Sequence, residues 1–97
     1  MKGIIITCNQ AYYDAVLLIM DRCAIRGFTF WDEVKGRGTK RGEPHYGTHA
    51  WPTTNSAFMV VTDNDKAANF MKQLHELDMQ TEKQGLRAFM WNIEQTI

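Results

Sequence analysis

Ile4, Ile5 and Ile6 stand side by side in the run from Lys2 to Cys8, and this triplet constrains the fold more than any other feature. Side chains alternate across a strand, so three consecutive isoleucines make both faces apolar. Such a strand belongs inside a sheet, with cover on both sides. The chain has 97 residues and 44% hydrophobic content, enough for one globular domain with a modest core. The apolar run is far too short for a signal-peptide core, and no stretch approaches the ~20 residues that span a bilayer. The expectation is a cytoplasmic protein without direct membrane insertion. The formal net charge is zero, so no global field selects nucleic acid.

The remaining elements follow from periodicity. Asn9 offers a helix N-cap, and the apolar stripe Tyr13, Val16, Leu17, Met20 and Ala24 predicts an amphipathic helix over 10–26, stopped by Gly27. Phe28 to Val34 is aromatic and β-branched, which predicts a second strand. Ser56 to Thr62 alternates as a third strand, with Ala57, Met59 and Val61 on one face and Phe58 and Val60 on the other. Ala67, Phe70, Met71, Leu74 and Leu77 mark a second helix, capped by Thr62, Asp63 or Asn64 and running to about Asp78. Leu86 to Glu94 closes the series as a fourth strand, with Phe89, Trp91 and Ile93 on one face.

The order β-α-β-β-α-β is the split βαβ, ferredoxin-like pattern: an α+β sandwich with a four-stranded antiparallel sheet and two helices on one face. The other face then exposes Phe, Trp, Val and Ile together. Contiguous apolar patches of that size are rarely left bare, so this face is expected to pack against other copies.

Val34 to Asn55 reads VKGRGTKRGEPHYGTHAWPTTN and holds four glycines, both prolines, four cations and two histidines. It joins the second and third strands, which a short hairpin would also join. It is therefore expected to project from the sheet edge as a mobile finger. Lys35, Gly36, Arg37 and Gly38 form its base. Glycine imposes no Cβ, so the backbone N–H groups there suit an anion, with Lys35, Arg37 and Arg87 supplying charge. Lys40 and Arg41 extend the basic cluster. His45 and His49 are four apart, a metal-ligand spacing, although Pro44 and Gly47 argue against a helix between them. Trp51 either pins the loop down or anchors a partner. Cys8 and Cys23 read as small buried hydrophobes. No residues form a recognisable catalytic constellation, so a non-enzymatic role is expected.

The run IRGFTFWDEVKGRGTKRG resembles the PII signal-transduction proteins. In that family a GITG-type turn leads into a strand ending EVKGFG, followed by RQKG. Here Glu33, Val34, Lys35, Gly36 and Gly38 match the strand end, Gly42 matches the later glycine, and Ile25 and Gly27 fit upstream. GFTFWDEV is one residue longer than the family's GMTVTEV, which predicts a β-bulge. Where the family has a GDGK-like phosphate loop, this chain reads EKQGLRAF, with Lys83 and Arg87 as its cations.

The resemblance, which extends more distantly to the trimeric CutA proteins, implies one PII-like domain over 1–97. It implies a homotrimer with inward-facing sheets and effector clefts between subunits. Residues 38–55 correspond to the T-loop, which touches a target protein such as a transporter or metabolic enzyme, with Lys40, Arg41, Tyr46 and Trp51 as its contact residues. The implied effectors are ATP, ADP or another small anion. The implied role is nitrogen-type signal transduction through loop shape. The alternative is a metal-responsive or CutA-like trimer that binds a divalent metal through His45 and His49.

Overall fold

A computed structural model describes residues 1–35, 46–48, 51–80 and 85–97, with the strand residues 46–48 and 51–53 described by their backbone. Strand β1 runs Lys2–Asn9 and helix α1 Tyr13–Arg22, with a 3-10 turn, Gln10–Tyr12, between them. Strand β2 is Thr29–Val34, β3 Tyr46–Thr48, β4 Trp51–Thr62, helix α2 Asn64–Gln80 and β5 Arg87–Asn92. The sheet order is β2-β4-β1-β5, antiparallel at each pairing. This is the ferredoxin-like α+β sandwich, with the isoleucine strand in an inner position.

Both helices pack on one face. Ile4, Ile6 and Cys8 of β1 meet Phe58 and Val60 of β4 there, beneath Val16, Ile19 and Met20 of α1 and Ala67, Phe70 and Leu74 of α2. Phe58 is fully buried and faces three rings, Tyr13 at 5.7 Å, Phe28 at 5.9 Å and Phe30 at 4.8 Å between centroids. This aromatic knot holds β2 to β4 and to the head of α1. Each such pair adds about 0.5–1.5 kcal/mol beyond simple burial.

Several boundaries differ from the sequence expectation. The Asn9 side chain does cap, but it accepts from the Ala11 N–H at 2.8 Å and starts the 3-10 turn, so α1 begins three residues later than Gln10. At the other end α1 stops well before Gly27. The Ile25 N–H donates to the Met20 carbonyl at 2.9 Å and the Ala24 N–H to the Asp21 carbonyl at 3.1 Å, the paired bonds of a Schellman stop. Ala24 therefore takes the left-handed position, with φ 57°. Met20 and Ile25 are both buried, and that apolar contact draws the chain round before the glycine is reached. Among the expected caps of α2 it is Asp63 that serves, its Oδ1 accepting from the Lys66 N–H at 2.9 Å.

The largest correction concerns the long connector. The sequence places Trp51 to Asn55 in a polar loop, yet β4 starts at Trp51, five residues before Ser56. This extension pairs with β3, Tyr46 opposite Thr54 and Thr48 opposite Trp51. An exposed strand end stabilises itself by finding a backbone partner, and the chain folds back to supply one. Pro52 sits where a single neighbour pairs, a position that tolerates a missing N–H. His49 and residues 36–45, His45 among them, lie outside the described residues.

The second sheet face is open. Across it, Val61, Gly3 and Trp91 form one row and Met59, Ile5 and Phe89 the next. Phe89 is 60% exposed, Trp91 42% and Val61 40%. Gly3 makes room for the indole: a Cβ there would lie 2.7 Å from the Trp91 ring. No helix among the described residues is long and apolar enough to cross a membrane.

Two outcomes are expected from this packing. Ala24→Gly relieves a left-handed alanine and should raise the unfolding free energy by roughly 0.5–1 kcal/mol, read as a higher melting temperature. Burial pushes the Cys8 thiol from 9.0 up to about 11. A raised folded value means its contribution is intact below pH 9 and is lost as pH climbs toward 11. Urea denaturation across that range should show a decline that is smaller in Cys8→Val.

Candidate functional site

The root of the connector is built on a β-bulge in β2. Trp31 pairs with Ala57 and Val34 with Asn55, so Asp32 and Glu33 together oppose Ser56 alone. This is the extra residue that the length of GFTFWDEV predicts. The irregularity is anchored. The Asp32 carbonyl accepts from the Ser56 hydroxyl at 2.8 Å and from Gln10 Nε2 at 2.7 Å. Val34 is half-buried, and Lys35, the last described residue before the connector, is exposed. Asn9, Asn55 and Ser56 lie buried beneath it as a polar layer.

The other predicted cation, Arg87, stands at the start of β5. Its Nη1 donates to the Leu86 carbonyl at 2.6 Å and lies 3.5 Å from Asp78 Oδ1. Asp78 sits near the C-terminus of α2, where the helix dipole disfavours a carboxylate. That oxygen is inaccessible and has no hydrogen bond, so Arg87 is its main compensation. Tyr12, on the 3-10 turn, is close by: burial first, then the charges of Asp78 and Cys8, raise its phenol above the ordinary range. A surface cavity of about 170 Å³ opens beside the pair, lined by Leu74, His75, Asp78, Leu86 and Arg87 among others.

Lys35 and Arg87 do not come together within one chain. They stand at the same end of the sheet but on opposite edge strands, β2 and β5, with β4 and β1 between. Three strand spacings separate those edges by roughly 14 Å. Gly36, Arg37, Gly38, Lys40, Arg41 and Lys83 lie outside the described residues. Tyr46 and Trp51 are placed by backbone only, in the β3–β4 pairing. His75 is exposed on α2. Among the described residues no group of three or more His, Cys, Asp or Glu is placed to hold a metal. Cys8 and Cys23 are buried free thiols, in line with the sequence expectation. The Cys23 sulfur accepts from Asn69 and Gln73 side-chain amides at 3.5 Å each.

Sequence reasoning misses Gln10, Ser56, Asp78 and Tyr12. The bulge length is a signal for the first pair, since an unpaired carbonyl there needs donors. Nothing in the sequence singles out Asp78, which reads as an ordinary helix-surface carboxylate.

The chain belongs to the nitrogen regulatory protein P-II family, whose model matches residues 1–97. No curated protein matches it in sequence. Among solved structures it is similar to CPII from Thiomonas intermedia K12, a nitrogen regulatory PII-like protein. With the CPII form bound to ADP and bicarbonate it shares 14% identity and a TM-score of 0.76, over 95% of this chain and 84% of that one. With the apo form it shares 12% identity and a TM-score of 0.71, over 95% and 87%. A putative PII-like signalling protein from Thermus thermophilus is 14% identical with a TM-score of 0.68, over 95% and 85%. At such identities the likeness is one of fold.

Removing Arg87 tests the ion pair. Arg87→Ala should cost roughly 1–2 kcal/mol in urea denaturation, because it strands a buried carboxylate oxygen. The Arg87→Ala/Asp78→Ala double variant should recover part of that loss.

Proposed function

We propose that the chain is a non-catalytic PII-like regulator that acts as a homotrimer and senses a small anionic effector, with an adenine nucleotide as the leading candidate. Clefts between subunits hold the effector, and the segment 38–55 presents the result to a target protein. The observation that carries this reading is the separation of the two cationic halves. Lys35 and Arg87 lie on opposite sheet edges of one chain, so a site that uses both takes β2 from one copy and β5 from another. The open face bearing Phe89, Trp91 and Val61 supplies the driving force for copies to associate.

The effector class rests on three supports. The connector base, Lys35–Gly38, combines glycines and cations suited to phosphate or carboxylate oxygens. The family is one of regulators. CPII, of like fold, has been seen with ADP, AMP and bicarbonate. Binding biases one shape of the connector over others; a full reversal of a hundredfold preference needs about 5.5 kcal/mol of differential affinity. The target, a transporter or metabolic enzyme, would read that shape through Lys40, Arg41, Tyr46 and Trp51.

Sedimentation equilibrium and calorimetry test this together. The expected result is a trimer at micromolar concentration that binds ADP or AMP, with Arg87→Ala weakening the nucleotide about tenfold or more, as loss of a charge-assisted contact does. A stable monomer, or a trimer silent to ATP, ADP, AMP and bicarbonate, overturns the reading.

A further inference from the structure

The grip on the β2 bulge does more than tidy an irregular strand. In a ladder of period two, one inserted residue turns every later side chain to the opposite face. Asp32 and Glu33 opposite Ser56 are that insertion, and Lys35 follows immediately. The bulge therefore selects the face of the sheet from which the connector, and its first cation, departs.

What keeps the bulge in place is unusual in being shared. Ser56 belongs to β4, and Gln10 to the 3-10 turn after β1, yet both donate to the one Asp32 carbonyl, at 2.8 and 2.7 Å. Ser56 is 1% exposed, so its hydroxyl has no ready recourse to solvent. Gln10 is set by its turn, which Asn9 Oδ1 pins through the Ala11 N–H at 2.8 Å. The end of β1, the middle of β4 and the bulge of β2 thus converge on a single oxygen, three residues ahead of Lys35.

We propose that Gln10 and Ser56 are positioning residues for effector binding: their joint hold on the Asp32 carbonyl fixes the face on which Lys35 leaves β2. The inference rests on the reading of the chain as a nucleotide sensor. Neither residue touches the effector. Without them the bulge shifts among registers, and only the fraction with Lys35 correctly aimed binds. Apparent affinity falls by that fraction.

The test is calorimetric titration of the full chain with ADP, alongside amide NMR and sedimentation. Ser56→Ala and Gln10→Leu should each weaken ADP about threefold and the double variant about tenfold, the scale of one and two hydrogen bonds. The trimer should persist, and the Val34 and Lys35 amide resonances should move in both variants. Ser56→Thr, which keeps the hydroxyl, should bind ADP as the wild type does. Gln10 is only half-buried, so its variant folds even where a change at Ser56 perturbs packing. A wild type that binds ADP while Ser56→Ala and Gln10→Leu match it within twofold overturns the clamp and leaves the effector reading standing, even when their melting temperatures drop. A wild type silent to ADP is titrated in the same way with ATP, AMP and bicarbonate, and silence to all four overturns both.

Discussion

The fold depends on a sheet that is apolar on both faces while the chain supplies cover for one. β1 places Ile4, Ile6 and Cys8 under the helices and Ile5 on the far side. Burial of the first set, with Phe58 and Phe70, organises the monomer; at about 25 cal/mol per Å² of apolar surface it outweighs the polar contacts among the described residues. The far side has no such cover among the described residues. Trp91 folds its ring over Gly3, a local solution that shields part of the central strand. The rest, centred on Phe89, remains in water. Contiguous apolar surface of that kind is rarely left bare, and in the proposed sensor association of copies covers it.

The same architecture explains why polar order concentrates at one end of the sheet. There β2 carries its bulge, and Ser56 and Gln10 settle the Asp32 carbonyl, which has left the ladder. Buried polar groups are stable only when partnered, so this end is held by specific geometry rather than by general burial. At the other edge Arg87 answers Asp78, a carboxylate that the end of α2 disfavours. One edge thus carries exposed Lys35 just after the anchored bulge, and the other half-buried Arg87 paired with Asp78. Neither edge completes an anion site alone, and this ties effector binding to assembly in the proposed sensor.

Much of the fold is legible in the sequence, and the reasons differ by element. Alternation in Ser56–Thr62 and three- and four-residue spacing in Ala67–Leu77 report burial directly, so strands and helices fall where periodicity places them, with small boundary shifts. The bulge shows as one surplus residue in GFTFWDEV. The start of β4 does not show, because Trp51 to Asn55 carries turn-forming and polar residues; only pairing with Tyr46–Thr48 makes it a strand. The end of α1 departs from expectation for a related reason. Gly27 is the better left-handed residue intrinsically, but the contact of Met20 with the buried Ile25 decides where the chain turns.

The sequence by itself determined the order of the four main strands and two helices, the central strand, the one-sided helix cover and the cationic composition at the root of the connector, because each is written as local periodicity or composition. Only the tertiary structure decided which groups meet. That Ser56 and Gln10 share one carbonyl, that Arg87 answers Asp78, and that Lys35 and Arg87 stand on opposite edges are facts of strand order and register. They join residues between 9 and 52 positions apart, and no local pattern encodes such distances.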